Sequence, residues 1–287
     1  MKAVIAIGLL IVLLCCLSCA SNPSGNNPIS TPPRTISGTV TLSSNDNPEE
    51  VFIWFEGFNF ATRPNAQGRF EFTLPPPTTQ TPSGGATGVF NIFFYIANFN
   101  LVAEPIVLVN GLLGNPLNEI NENGEIVQEI LLSEQLKIFT EVQPPKVEKS
   151  PGTISLFADV ILQTFKDTVQ VFFPTRVGNL SGPVFLQNIE TGAVSIIESF
   201  IVDTAETDSV KVSTTAEIRE LVMNLNLADL PVGKYEVIPY IIVINELVPA
   251  GLIDRIGQNV QSFSPDYLKI PFKRRGGELE IVARPGG

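Results

Sequence analysis

From residue 35 onward the chain is a succession of short β-branched and aromatic segments, each closed by Pro, Gly, Asn or Ser. No other feature constrains the fold as tightly. TISGTVTL (35–42) sets Ile36, Val40 and Leu42 against small polar residues, which gives one apolar face at strand period. After the polar turn SSNDNPEE comes VFIWFEGFNF (51–60), and PNAQG (64–68) connects tightly into RFEFTL (69–74). The Pro- and Gly-rich stretch PPPTTQTPSGGATG (75–88) precedes VFNIFFYIA (89–97) and EPIVLV (104–109). A turn at NENGE (121–125) leads into IVQEILL and LKIFTEV (126–142). Strands of this length, with turns at this spacing, predict an all-β protein built of antiparallel sandwiches. One helix is expected over 249–263, where Leu252, Ile253, Ile256 and Val260 share a face that Gly257 weakens.

About 250 residues follow position 34, room for two domains. The run QPPKVEKSPG (143–152) has the composition of a linker, and the charge balance shifts across it. Residues 35–145 hold 12 acidic against 3 basic side chains; residues 146–287 hold 17 against 13. The expected organisation is therefore a first sandwich at 35–145 and a second at 146–287. In the second half Thr153-Ile154-Ser155 echoes Thr35-Ile36-Ser37, Val169, Val171 and Phe173 echo Val51, Ile53 and Phe55, and GKYEVIPYI (233–241) echoes GVFNIFFYI (88–96). Two readings of that half stay open: an immunoglobulin-like sandwich, or a diverged repeat of the first.

The first half carries a resemblance. ISGTV (36–40), the VFIWFEG strand and NAQGRFEFTLPPP (65–77) resemble the carboxypeptidase-regulatory-like domains, through Gly38, Gly68, Phe70, Leu74 and Pro75. Asn65 stands where those domains usually have an acidic residue, and the Gly expected after Leu-Pro-Pro is replaced by a Pro/Gly-rich insertion. The resemblance covers residues 35–142. It implies a transthyretin-like, carbohydrate-binding-like sandwich that acts as a non-catalytic accessory or binding module.

All three cysteines, Cys15, Cys16 and Cys19, crowd into five positions. Lys2 and the uncharged apolar run 3–14 have the form of a signal peptide, and the run is shorter than the roughly 20 residues of a spanning helix. With Ser18 before Cys19, the segment resembles a bacterial lipoprotein signal, although Leu17 is larger than usual and Cys16 stands where Leu is common. That resemblance implies cleavage after residue 18, a lipidated Cys19 and membrane attachment. Residues 19–34 then form a Pro/Ser/Asn-rich tether, and the mature chain keeps neither disulfide nor free thiol. An ordinary secretory signal cut near Ala20 is the alternative, and a short uncleaved anchor is a third reading.

Composition narrows the chemistry. The chain has no histidine, which removes Ser-His-Asp and Cys-His nucleophilic sites and His-ligated metals. A net charge of −11 disfavours nucleic acid as a partner. The acidic clusters NDNPEE (45–50), NEINENGE (118–125) and DTAETD (203–208) lack the spacing of a calcium loop and read as solvated turns, so no metal and no cofactor are expected. KRRGG (273–277), set between apolar segments expected as strands at 267–272 and 278–283, reads as a charged hairpin turn or as a contact for an acidic headgroup. Trp54, Phe58 and Phe60 on one strand and Tyr95 on another are the candidate glycan-contacting rings, with core packing as the competing role. The expected function is a non-catalytic, lipid-anchored envelope or cell-surface protein that binds or scaffolds an envelope protein or glycan. A carbohydrate-binding lipoprotein and a structural subunit of an envelope or adhesion assembly are the alternatives.

Overall fold

The structure, a computed structural model, describes residues 33–114, 119–201 and 208–284, and it is an all-β protein. Cys19 and tether residues 19–32 lie outside the described residues. Residues Arg34–Gly287 form one compact unit.

The first half contributes β1 (Thr35–Leu42), β2 (Phe52–Phe55), β3 (Phe60–Thr62), β4 (Arg69–Thr73), β5 (Gly88–Tyr95), β6 (Val102–Val109), β7 (Leu112–Gly114) and β8 (Ile130–Leu132). They form two sheets, in the orders β4-β1-β8 and β3-β2-β5-β6-β7. Period-two alternation dictates the packing between them. Ile36, Val40, Phe70 and Phe72 from the first sheet meet Ile53, Phe55, Ile92 and Phe94 from the second in one apolar core.

The later strands are β9 (Leu136–Gln143), β10 (Lys146–Glu148), β11 (Thr153–Thr164), β12 (Val169–Phe172), β13 (Arg176–Val177), β14 (Leu180–Ser181), β15 (Val184–Asn188) and β16 (Val194–Ile197). They continue through β17 (Ser199–Ile201), β18 (Ser209–Val212), β19 (Glu217–Asn226), β20 (Gly233–Pro239), β21 (Ile242–Val243), β22 (Arg274–Gly276) and β23 (Glu278–Val282). Two five-stranded sheets dominate here, β17-β19-β11-β9-β22 and β10-β23-β20-β15-β16, and they enclose a second core.

The two cores share a sheet. On β2 and β5 the pairs Ile53↔Phe94 and Phe55↔Ile92 face the first core, while Phe52↔Tyr95 and Trp54↔Phe93 face the second. A strand pair buried on both faces reads as a continuous apolar run, as VFIWF and IFFYI do. The run 143–152, read as a linker, carries β10 and joins β9 to β11, which pair with each other in one sheet.

Several local expectations change. Residues 51–60 are not one strand. The chain turns at a 3-10 segment, Glu56–Phe58, with Asn59 in the left-handed region, and β3 folds back on β2. The helix α2 (Ala250–Ile256) stops short of residue 263, as the low helix propensity of Gly257 favours. An earlier single turn, α1 (Pro77–Gln80), sits in the Pro/Gly-rich stretch; its Gln80 side chain donates to the carbonyls of Pro75 and Gly111 and accepts from Ala86 N–H. KRRGG is not a hairpin turn. Residues 274–276 are β22, parallel to β9, and Gly276–Gly277 swing the chain across to β23 in the other large sheet. A Cβ on Gly276 would lie 2.1 Å from the Thr140 carbonyl oxygen, so the crossing needs glycine there. The segment before it is a 3-10 turn, Pro265–Lys269, rather than a strand. The pairing of the proposed repeat also differs between halves: β2 pairs with β5, whereas β12 and β20 lie in separate sheets.

Candidate functional site

The proposed aromatic platform comes apart. Trp54 is 6 % exposed and Tyr95 7 %, both packed into the second core. Trp54 stacks on Phe93 with ring centroids 5.7 Å apart, and its Nε1–H donates to Asn59 Oδ1 at 2.9 Å. Phe58 and Phe60 stack on each other and pack against the first core, on the opposite side of the shared sheet. The four rings therefore share no exposed face, and Trp54 and Tyr95 offer none to a sugar. Burial raises the Tyr95 hydroxyl well above the usual phenol range.

A different site forms where the chain returns along 268–275. A cavity of about 580 Å³ opens between this segment, β20 and the loops at 46–50 and 63. Its size is that of a small-molecule site. Asp46, Glu50 and Glu236 line it opposite Arg63, Lys269, Lys273, Arg274 and Arg275, a cationic excess inside an acidic chain.

Most of these charges are committed. Arg275 donates to both carboxylate oxygens of Glu134, at 2.8 and 3.2 Å, and to Asp46 at 3.1 Å. Lys273 pairs with Glu50 at 3.1 Å, Lys269 with Asp266 at 2.7 Å, and Arg63 donates to the Glu50 carbonyl at 2.8 Å. The two charge clusters read separately in the sequence, NDNPEE and KRRGG, are thus each other's partners. Asn47 orders the acidic one by accepting from Glu49 N–H as the cap of a 3-10 turn. The acidic run at 121–125 is a turn, with the Asn121 side chain accepting from Asn123 and Glu125 N–H. Residues 118 and 203–207 of the other clusters lie outside the described residues.

Arg274 and Glu236 are the exceptions. Arg274 lies over the Phe272 ring at 4.1 Å and donates from Nη2 to the Tyr267 hydroxyl at 2.9 Å. Tyr267 is fully buried and holds that position rigidly, because its hydroxyl also donates to Ile241 O and accepts from Ile241 N–H. The Arg274 Nε is buried without a hydrogen-bond partner among the described residues. Burial pushes the Glu236 carboxyl above the usual carboxylate range; Arg274 opposes the shift, and Glu50 and Glu278 add to it. Arg274, held in place by Phe272 and Tyr267, and Glu236 therefore both line the cavity without an ion pair to a described residue. Sequence reading reached Arg274 only as part of the basic cluster at 273–277 and missed Glu236, which nothing local marked as its neighbour.

No known protein family's profile matches the chain, and no curated protein shows significant sequence similarity to it. Among the described residues no cluster of acidic or thiol side chains is arranged to hold a metal ion, and no helix is long and apolar enough to cross a membrane.

Proposed function

We propose that the chain is a lipid-anchored, non-catalytic binding or scaffold protein of the bacterial envelope. Export and anchoring rest on the apolar run 3–14 followed by Ser18-Cys19. The binding role rests on the cavity beside β22. Its carboxylates Asp46 and Glu50 are tied to cations, and the Arg274–Glu236 pair is left facing the space a ligand would enter. Lipidation is tested by the mass of the N-terminal peptide of the full chain expressed in a bacterium. Diacylglycerol and acyl mass on Cys19, lost in Cys19→Ala, is expected; an unmodified N-terminus near Ala20 refutes the anchor.

A second reading, carbohydrate binding, is favoured by the chemistry of the pair. A hydroxyl both donates and accepts, so adjacent hydroxyls satisfy Arg274 and Glu236 together, whereas a simple anion meets Arg274 alone and is repelled by Glu236. The site moves from the aromatic strand to the cavity. Thermal melts of the full chain against neutral saccharides, carboxylates and phosphates decide it. A saccharide at about 100 times its Kd is expected to raise Tm by roughly 5–10 °C, and Arg274→Gln to abolish the shift. A panel in which only the anions shift Tm would overturn the saccharide reading.

A further inference from the structure

The outer face of the sheet β17-β19-β11-β9-β22 is ordered in rows. One row sets Phe200, Val222 and Phe157 side by side across three strands. The next sets Glu220, Asp159 and Glu141 side by side. The third sets Ile218, Ile161 and Phe139. Their alternate neighbours Leu156, Ala158, Val160 and Leu221 are buried, so all three rows point away from the core. Phe157 is 47 % exposed, Phe200 57 % and Ile218 53 %. A groove of about 730 Å³ continues this face past Phe139 and Phe157 to Pro144 and Pro145.

Like charges directly opposite one another on a sheet destabilise it, and this row places three carboxylates on adjacent strands. None forms an ion pair with a described residue; Glu141 accepts one hydrogen bond, from Gln143. Two apolar rows with an uncompensated acidic row between them are complementary to a basic ridge flanked by apolar side chains. A second copy of the chain is disfavoured, because a two-fold stack of this face sets acid against acid. The dimensions suit a helix. Phe157 and Ile161, four residues apart, put the apolar rows roughly 13 Å from each other, and an α-helix with its side chains is about 10–12 Å across. Strand spacing places the carboxylates about 4.8 Å apart, close to the roughly 5–6 Å between Cβ atoms of helix residues three and four apart.

We infer that this sheet face docks an amphipathic basic helix of a partner protein, its Lys/Arg ridge on Glu220, Asp159 and Glu141 and its apolar flanks on the Phe157 and Ile161 rows. This names the partner chemistry of the scaffold role proposed above and stands apart from the cavity, so Arg274→Gln leaves it unchanged.

The probe is a synthetic Leu/Lys helix titrated into the full chain and followed by fluorescence anisotropy, beside a peptide with Glu in place of Lys. The Lys peptide is expected to bind with an affinity that falls as salt rises, and the Glu peptide not to bind. Neutralising the row (Glu141→Gln, Asp159→Asn, Glu220→Gln) weakens binding about tenfold. The same number of neutralisations elsewhere (Glu71→Gln, Glu122→Gln, Glu190→Gln) changes it less than about twofold. Phe157→Ser with Ile218→Ser also weakens it, with circular dichroism confirming the fold. Equal loss from the two neutralised sets means the attraction is to net charge alone and overturns the proposal. Concentration-dependent dimerisation abolished by Phe157→Ser overturns it in favour of a second copy.

Discussion

Trp54 concentrates the consequences of a doubly buried strand in one side chain. It packs on Phe93, is capped by Asn59, and lies so close to α2 that a Cβ on Gly251 would come 3.0 Å from its ring. Trp54→Ala is therefore expected to cost about 3–5 kcal/mol, read as a lower urea midpoint. The change would leave any ligand bound in the cavity by the remaining folded protein unaffected. Glu236 carries a pH signature. Its folded pKa lies above the unfolded value, chiefly through burial, so the folded state holds the proton more tightly. The stability this group contributes is complete below about pH 4.3 and is lost as pH rises through the raised pKa. Glu236→Gln should hence match the parent Tm near pH 4 and exceed it increasingly toward pH 7. A variant Tm below the parent's at pH 7 would mean that Glu236 is held by a stronger attraction than its surroundings show.

Among the elements, β22 does the most with the fewest residues. It pairs parallel to β9, and Arg275 ties it to Glu134 and Asp46, the latter 229 residues away in sequence. Glu134 is buried, so removing its partner leaves a desolvated carboxylate; the Asp46 arm is solvent-screened and contributes little. Arg275→Met is expected to cost about 2–3 kcal/mol, and adding Glu134→Leu to recover most of it, measured by paired urea melts. The turn at Asn65–Gly68 is the opposite case, since its chemistry is local. Asn65 Oδ1 accepts from Gln67 and Arg69 N–H, and Gly68 has φ of 77°. That turn was legible as PNAQG. The tie through β22 was not, because a basic cluster carries no mark of the acids it will meet, and KRRGG resembles any charged hairpin turn.

At the scale of the whole molecule, one sheet serves two cores, and the halves depend on each other. Residues 34–143 made alone would expose Phe52, Trp54, Phe93 and Tyr95, and β9 would lose its partner β11. Such a fragment should show poor dispersion in an amide NMR spectrum and should aggregate, where the full chain does not. A well-dispersed, monomeric fragment would instead establish an independent domain ending near residue 143. The sequence by itself determined the all-β class, most strand positions and the tight turns, because alternation and turn chemistry are written in neighbouring residues. The absence of histidine is read in the same direct way. Only the tertiary structure decided which face of VFIWF meets which core, that the rings at 54 and 95 are interior, and that NDNPEE meets KRRGG beside an open cavity. The physical reason is that burial and charge pairing are long-range. Alternation says that a strand has two faces, and only the packing of distant strands says what covers each one.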